Sequence, residues 1–193
     1  FLALWGGSSH VGSALIYDGF SGDELFKDET THTKAIFSLR YSPDETLFAT
    51  CSIDKSARFW NLKTFKTQGR LLQHRAEVWN GEFSPDQSRF ATFTSDGELG
   101  VWSTETKNLT HNFTKHESPF AMTAFSKDGK SVVGGLTNGK IHKWSVTENA
   151  RLPILLSHDE PILQLEVDTK GEYVVTTAED GKIREFGTPK SIS

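Results

Sequence analysis

The stretch HTKAIFSLRYSPDETLFATCSIDKSARFWN, residues 32–61, decides how this chain is read. Its landmarks return downstream with no insertion or deletion. His32, His74, His116 and His158 stand 42 residues apart, and the same step links Trp60, Trp102, Trp144 and Phe186. Asp54, Asp96, Asn138 and Asp180 keep it, as do the segments YSPDE, FSPDQ, FSKDG and VDTKG. A fixed period of this size marks a supersecondary unit that cannot bury its apolar face alone and stacks on copies of itself. The units run over 32–73, 74–115 and 116–157, and the last starts at 158.

Each histidine is followed by IFSLRYS, VWNGEFS, FAMTAFS or ILQLEVD, then by TLFATCS, SRFATFT, KSVVGGL or EYVVTTA. Third runs end at the aromatic landmark: SARFW, ELGVW, KIHKW and KIREF. Weaker fourth segments follow at GRLLQ, NLTHNF and LPILL. Short β-branched and aromatic runs between turn residues predict strands. Asp128-Gly129 and Lys170-Gly171 mark the first junction; Asp96-Gly97, Asn138-Gly139 and Asp180-Gly181 mark the second, where left-handed turns suit Asn or Asp before Gly. In the first strand Ile36, Leu39 and Tyr41 are spaced by three and then two, which predicts a bulge after the first position. No stretch carries helical three-and-four spacing. The expected fold is all-β, built of four-stranded antiparallel units.

Units of this length carrying His, Ser-Pro-Asp, Asp and Trp at fixed intervals resemble the WD-repeat family of β-propellers, although Trp60-Asn61, Trp102-Ser103 and Trp144-Ser145 lack the family's terminal aspartate. The resemblance covers the whole chain and implies one propeller region over 1–193. It also implies a hydrogen-bonded tetrad in each blade, made of the histidine, a strand-two hydroxyl, the turn aspartate and the strand-three tryptophan. His32, Ser52, Asp54 and Trp60 fit it, as do His74, Thr94, Asp96 and Trp102. The third copy has Leu136 and Asn138 in place of the hydroxyl and the aspartate. The fourth has Ala178 and Phe186, so these two blades are expected to be held more by packing. LALWGG, SALIYDG and DELFKD read as strands two to four of a partial blade over 1–31. The last repeat, 158–187, lacks an outer strand and is followed by the tail 188–193. In this family an N-terminal strand completes the last blade. The expectation is therefore about four and a half blades of a longer, seven-bladed ring, with roughly 100 residues upstream. The alternative is a ring completed by a second chain or by pairing of its open edges.

Composition excludes several functions. With 21 Lys and Arg against 25 Asp and Glu, the formal charge is −4, which argues against direct nucleic-acid binding. No window approaches the apolar length of a membrane helix, and no signal peptide is visible. Cys51 is the only cysteine, so intrachain disulfides are excluded and a reducing, intracellular and cytoplasmic setting is the simplest. His32, Ser52 and Asp54 have the composition of a hydrolase triad, but their period places them inside a unit, and no nucleophile elbow occurs. Equivalent histidines spread around a ring cannot converge on a metal, and His10, His111 and His142 have no ligand companion. Asn108 and Asn112 head two glycosylation acceptor patterns with no signal peptide to give them meaning. No enzyme activity, metal or cofactor is expected.

What remains is surface. By resemblance, the binding face gathers the turn before strand one and the turn after strand two. The candidates before each turn aspartate are Ile53, Ser95, Thr137 and Glu179. Those three and five residues after each histidine are Ala35, Glu77, Pro119 and Pro161, with Phe37, Trp79, Ala121 and Leu163. Phe37 and Trp79 are the sharpest, because aromatic residues dominate interface hot spots. Arg75, Lys34 and Arg40 add charge. The leading reading is a scaffold that binds a protein or peptide within a complex. The alternative is a regulatory, ligand-sensing propeller of a larger signalling ATPase or kinase.

Overall fold

The structure, a computed structural model, describes residues 2–6, 12–113, 117–152, 157–168 and 173–187. Among them there is no helix, and eighteen strands form five antiparallel sheets. The first sheet holds β1 (Leu2–Gly6), β2 (Gly12–Tyr17) and β3 (Glu24–His32). The second orders β4 (Ile36–Tyr41), β5 (Leu47–Ser52), β6 (Ser56–Asn61) and β7 (Leu72–Gln73). The third has β8 (Val78–Phe83), β9 (Arg89–Thr94), β10 (Leu99–Ser103) and β11 (Leu109–Phe113). The fourth has β12 (Phe120–Phe125), β13 (Ser131–Leu136), β14 (Ile141–Ser145) and β15 (Ala150–Leu152). The fifth has β16 (Ile162–Val167), β17 (Tyr173–Ala178) and β18 (Ile183–Gly187). Each sheet is a meander in sequence order, and no closed barrel forms. This is the β-propeller blade pattern, with first and last sheets of three described strands.

The expected bulge is present in all four repeats. The register shifts between Ile36 and Ser38, Val78 and Asn80, Phe120 and Met122, and Ile162 and Gln164. The extra residue turns Phe37, Trp79, Ala121 or Leu163 away from the ladder while the rest of the strand keeps its facing. The Ser-Pro-Asp segment closes the hairpin that follows. Asp44 accepts from the Ser42 hydroxyl at 2.7 Å and the Thr46 N–H at 3.0 Å, and Asp86 and Asp128 repeat the pattern with Ser84 and Ser126. The turn needs a left-handed residue, which is Glu45, Gln87 and, in the third copy, Gly129.

Strand alternation gives every sheet two apolar faces, and consecutive sheets share a core across them. Ala49, Cys51, Ala57 and Phe59 of the second sheet pack with Val78, Phe83, Phe90 and Trp102 of the third. Ala91, Phe93, Leu99 and Val101 then meet Phe120, Phe125, Val132 and Trp144. Val133 and Ile141 meet Ile162, Leu165, Val174 and Phe186. Small residues on one face let the large ones of the next sheet approach. A Cβ on Gly81 would fall 2.4 Å from the Phe90 ring and 2.8 Å from the Cys51 sulfur. Burial pushes the Cys51 thiol up to about 12, so it is packing rather than reactive chemistry.

Candidate functional site

The first of the expected tetrads forms, with a different hydroxyl. His32 Nδ1 lies 2.9 Å from Asp54 Oδ2, and its Nε2 lies 2.8 Å from Thr50 Oγ1, which also accepts the Trp60 indole N–H at 2.9 Å. Ser52 belongs elsewhere: its hydroxyl faces the Lys34 and Ala35 carbonyls at 3.0 and 2.9 Å and accepts the Asp54 N–H. The β5–β6 register explains the correction. Phe48 pairs with Trp60 and Ser52 with Ser56, so the indole reaches diagonally to Thr50, while Ser52 sits at the turn. Burial acts to raise the Asp54 pKa, but hydrogen bonds from His32, Ser56 and the Thr33 N–H hold it at about 2. Ser52 makes no hydrogen bond to His32, so the triad composition read from the sequence does not assemble, and Thr50, which does meet the imidazole, is fully buried with its oxygen held by the Trp60 indole.

The second copy is incomplete. Trp102 donates to Thr92 Oγ1 at 2.8 Å, whereas Thr94 bonds Asp96 at 2.6 Å and the Glu98 backbone. His74 packs edge-on against Trp102, and its buried Nε2 has no hydrogen-bond partner. The fourth copy keeps more than its sequence suggests. His158 bonds Asp180 at 3.1 Å and the Thr176 hydroxyl at 2.9 Å, although Ala178 and Phe186 replace the expected partners. In the third copy Gly134 stands where Thr50 does in the first, and His116 lies outside the described residues.

Burial pushes the His74 imidazole down from its ordinary 6.5 to about 4, against the attraction of Asp96. The unfolded chain therefore binds the proton first, and this site destabilises the fold as pH falls from 6.5 to 4, by on the order of 3 kcal/mol. Glu82 works in the opposite sense. Burial raises its carboxyl from 4.5 to about 7, against a hydrogen bond from the Phe125 backbone and the charge of Arg40, so its contribution improves as pH falls from 7 to 4.5. Urea midpoints recorded against pH should lose the His74 slope in His74→Phe and keep it in Glu82→Gln. An unchanged acid slope in His74→Phe would reject the assignment.

The predicted surface residues meet at one end of the sheets. The N–H groups of Ile53, Ser95, Thr137 and Glu179 donate to the carbonyls of Ala35, Glu77, Pro119 and Pro161 at 2.9–3.1 Å. These four bonds tie the turn before each first strand to the turn after each second strand. Phe37 is 53% and Trp79 36% exposed, and their rings stand edge to face at 6.5 Å. The Trp79 indole donates to Glu77 at 3.3 Å, and Glu179 and Arg75 are exposed. Beside the aromatic pair lies a cleft of about 230 Å³ between β4, β8 and β12, with Ser38, Arg40, Asn80 and Thr123 on its walls. The Ser38, Asn80 and Thr123 contributions were not anticipated from sequence. Among the described residues no group of His, Cys, Asp and Glu could hold a metal ion.

Comparison with known proteins agrees with this architecture. The family model "WD domain, G-beta repeat" matches residues 25–61. U3 small nucleolar RNA-associated protein 13 of Saccharomyces cerevisiae is 37% identical over 49 residues, 25% of this chain and 6% of that protein. Eukaryotic translation initiation factor 3 subunit I of Candida glabrata is 38% identical over 50 residues, 26% of this chain and 14% of that protein. Transducin beta-like protein 3 of Mus musculus is 40% identical over 63 residues, 31% of this chain and 8% of that protein. The aligned segments thus span a small part of each relative. The matched segment ends on Asn61, next to the Trp60 landmark, its landmarks recur every 42 residues, and each recurrence folds as one antiparallel sheet, so the likeness to WD-repeat proteins found over residues 25–61 is repeated in pattern along the later sheets.

Proposed function

We propose that this chain is a protein-interaction scaffold whose five sheets act as consecutive blades of one propeller region, and that a protein or peptide docks on the rim carrying Phe37 and Trp79. The observation that carries this reading is the exposed, mutually packed aromatic pair on a rim fixed by repeated backbone hydrogen bonds. Rigid aromatic side chains supply large contact area at low entropic cost, which is why they dominate hot spots. Two relatives are by name a subunit and an associated protein, which supports a place in a larger intracellular complex. Neither catalysis nor direct nucleic-acid binding is part of the reading.

A second contact belongs to the same proposal. In the fifth sheet Val175 and Ile183 are 41% and 74% exposed. The same positions in earlier sheets are Ala49, Ala91 and Val133, and Ala57, Leu99 and Ile141, all buried against the following sheet. A further blade, from the same or a second chain, is the natural cover for this face.

Photocrosslinking from position 37 or 79 identifies the rim partner, and binding is then measured with purified components. Phe37→Ala and Trp79→Ala should each weaken it roughly 30-fold, the effect of a hot spot of about 2 kcal/mol. The melting temperature should hardly move, since both side chains are exposed. Unchanged affinity in the double variant would overturn the docking surface.

A further inference from the structure

We propose that the cleft beside Phe37 and Trp79 receives the carboxylate of a Glu or Asp side chain from an extended peptide, whose neighbouring apolar residue lies on the aromatic pair. This deepens the peptide-docking reading above and rests on it.

The cleft walls present hydrogen-bond donors without matching acceptors. Arg40 of β4 gives one guanidinium N–H to the Leu39 carbonyl at 3.0 Å and forms no ion pair among the described residues. Asn80 of β8 is oriented by two bonds to its oxygen, from the Ser38 hydroxyl at 2.8 Å and the Gly81 N–H at 2.9 Å. Reversing the amide would set its NH2 against the Gly81 N–H, so the oxygen is spent inside the protein and the amide nitrogen remains to donate. Thr123 of β12 contributes a buried hydroxyl oxygen with no hydrogen-bond partner. Three strands from three sheets thus bring a guanidinium, an amide N–H and a hydroxyl to one wall.

Among the described residues, no acidic side chain lines the cleft. The carboxyl one repeat along from Arg40 is Glu82, whose buried Oε2 has no partner of its own and makes no ion pair with Arg40. An ionised carboxylate accepts on both oxygens and suits a planar guanidinium, with charge-assisted bonds stronger than neutral ones. A volume of about 230 Å³ lies below the 300–1,000 Å³ usual for small-molecule pockets and matches one inserted side chain. The aromatic pair at the mouth adds an apolar shelf, so the expected motif is an acidic residue adjacent to an aliphatic or aromatic one.

The test is selection from a randomised nine-residue peptide library on the intact chain, followed by affinities for the selected peptides and their Glu→Gln, Asp→Asn and phosphoserine versions. Acidic residues next to apolar ones should be enriched, and neutralising the acid should weaken binding at least tenfold. Arg40→Gln should remove the preference for the acid while leaving the apolar contribution, and Trp79→Ala should weaken acidic and neutral peptides alike. Asn80→Asp, which keeps the shape and the bond from Ser38, provides the second variant if Arg40→Gln folds poorly, and it should reject acidic peptides. Peptides that bind the rim without acid preference, or a preference that survives in Asn80→Asp, would overturn this inference while leaving peptide docking intact. Tighter binding of the phosphoserine versions would overturn the carboxylate assignment. If no peptide binds and no rim crosslink forms, both readings fail together.

Discussion

Thr50→Val should lower the unfolding free energy by about 2–6 kcal/mol, at roughly 1–3 kcal/mol for each of two buried groups left without a partner. Valine keeps the shape and β-propensity of threonine, so the loss reports the hydroxyl. That oxygen accepts the Trp60 indole N–H and meets His32 Nε2, and both rings are buried between the first and second sheets. Removing it orphans both nitrogens where water cannot reach them. Ser52→Ala should cost less, about 1–2 kcal/mol, because it leaves the Asp54 N–H short of an acceptor while the Ala35 carbonyl still receives the Ile53 N–H at 3.1 Å. Urea melts of the two variants decide between the hydroxyls. A Ser52→Ala loss equal to or above that of Thr50→Val would return the network to the residue named from sequence.

Gly139→Ala is the other large effect expected, a loss of about 4 kcal/mol or more. Gly139 closes the β13–β14 turn at φ +79°, a conformation that already costs a residue with a Cβ about 1–2 kcal/mol. The site is also closed from outside. The new Cβ would lie 2.2 Å from the His158 carbonyl oxygen and 2.8 Å from that of Glu160. These are backbone atoms, so no rotamer change relieves the clash. The His158 N–H donates to the Gly139 carbonyl at 2.9 Å, which makes this turn a clasp between the fourth and fifth sheets. Gly181 is the internal control, since it occupies the same turn of the last sheet at φ +72° with nothing within 4 Å of its missing Cβ. Gly181→Ala should cost only the conformational term, about 1–2 kcal/mol. Hydrogen exchange should show β16–β18 losing protection in Gly139→Ala and not in Gly181→Ala. Equal losses in the two would mean that the turn geometry, and not the clasp, carries the effect.

Much of this was legible because strands alternate faces and the repeat length never varies. The bulge after Ile36 followed from apolar spacing alone, whereas the aromatic surface positions 37 and 79 came from the resemblance to the WD-repeat family. The hydroxyl of the polar network was misplaced because Thr50 and Ser52 lie on the same face of β5, two residues apart. Both satisfy the pattern, and only the cross-strand register shows which one the Trp60 indole can reach. A signal was nevertheless present, since Thr50, Thr92 and Thr176 keep the 42-residue step with Gly134 as the exception. The same omission hid the intact hydroxyl of the fourth copy behind Ala178.

By itself the sequence determined the architecture: a constant period, period-two hydrophobicity and Asn/Asp-Gly turns are local properties, and together they permit stacked antiparallel sheets and little else. Which turns share the rim was implied by the family resemblance, and the bonds from Ile53, Ser95, Thr137 and Glu179 show it in the fold. Tertiary structure alone decided the chemistry between repeats. Whether His74 finds a partner, and whether Asn80 turns its oxygen to Ser38 and its nitrogen outward, depends on distances between sheets. Hydrogen bonds fail over a few tenths of an ångström, a precision that residue identity and spacing do not carry.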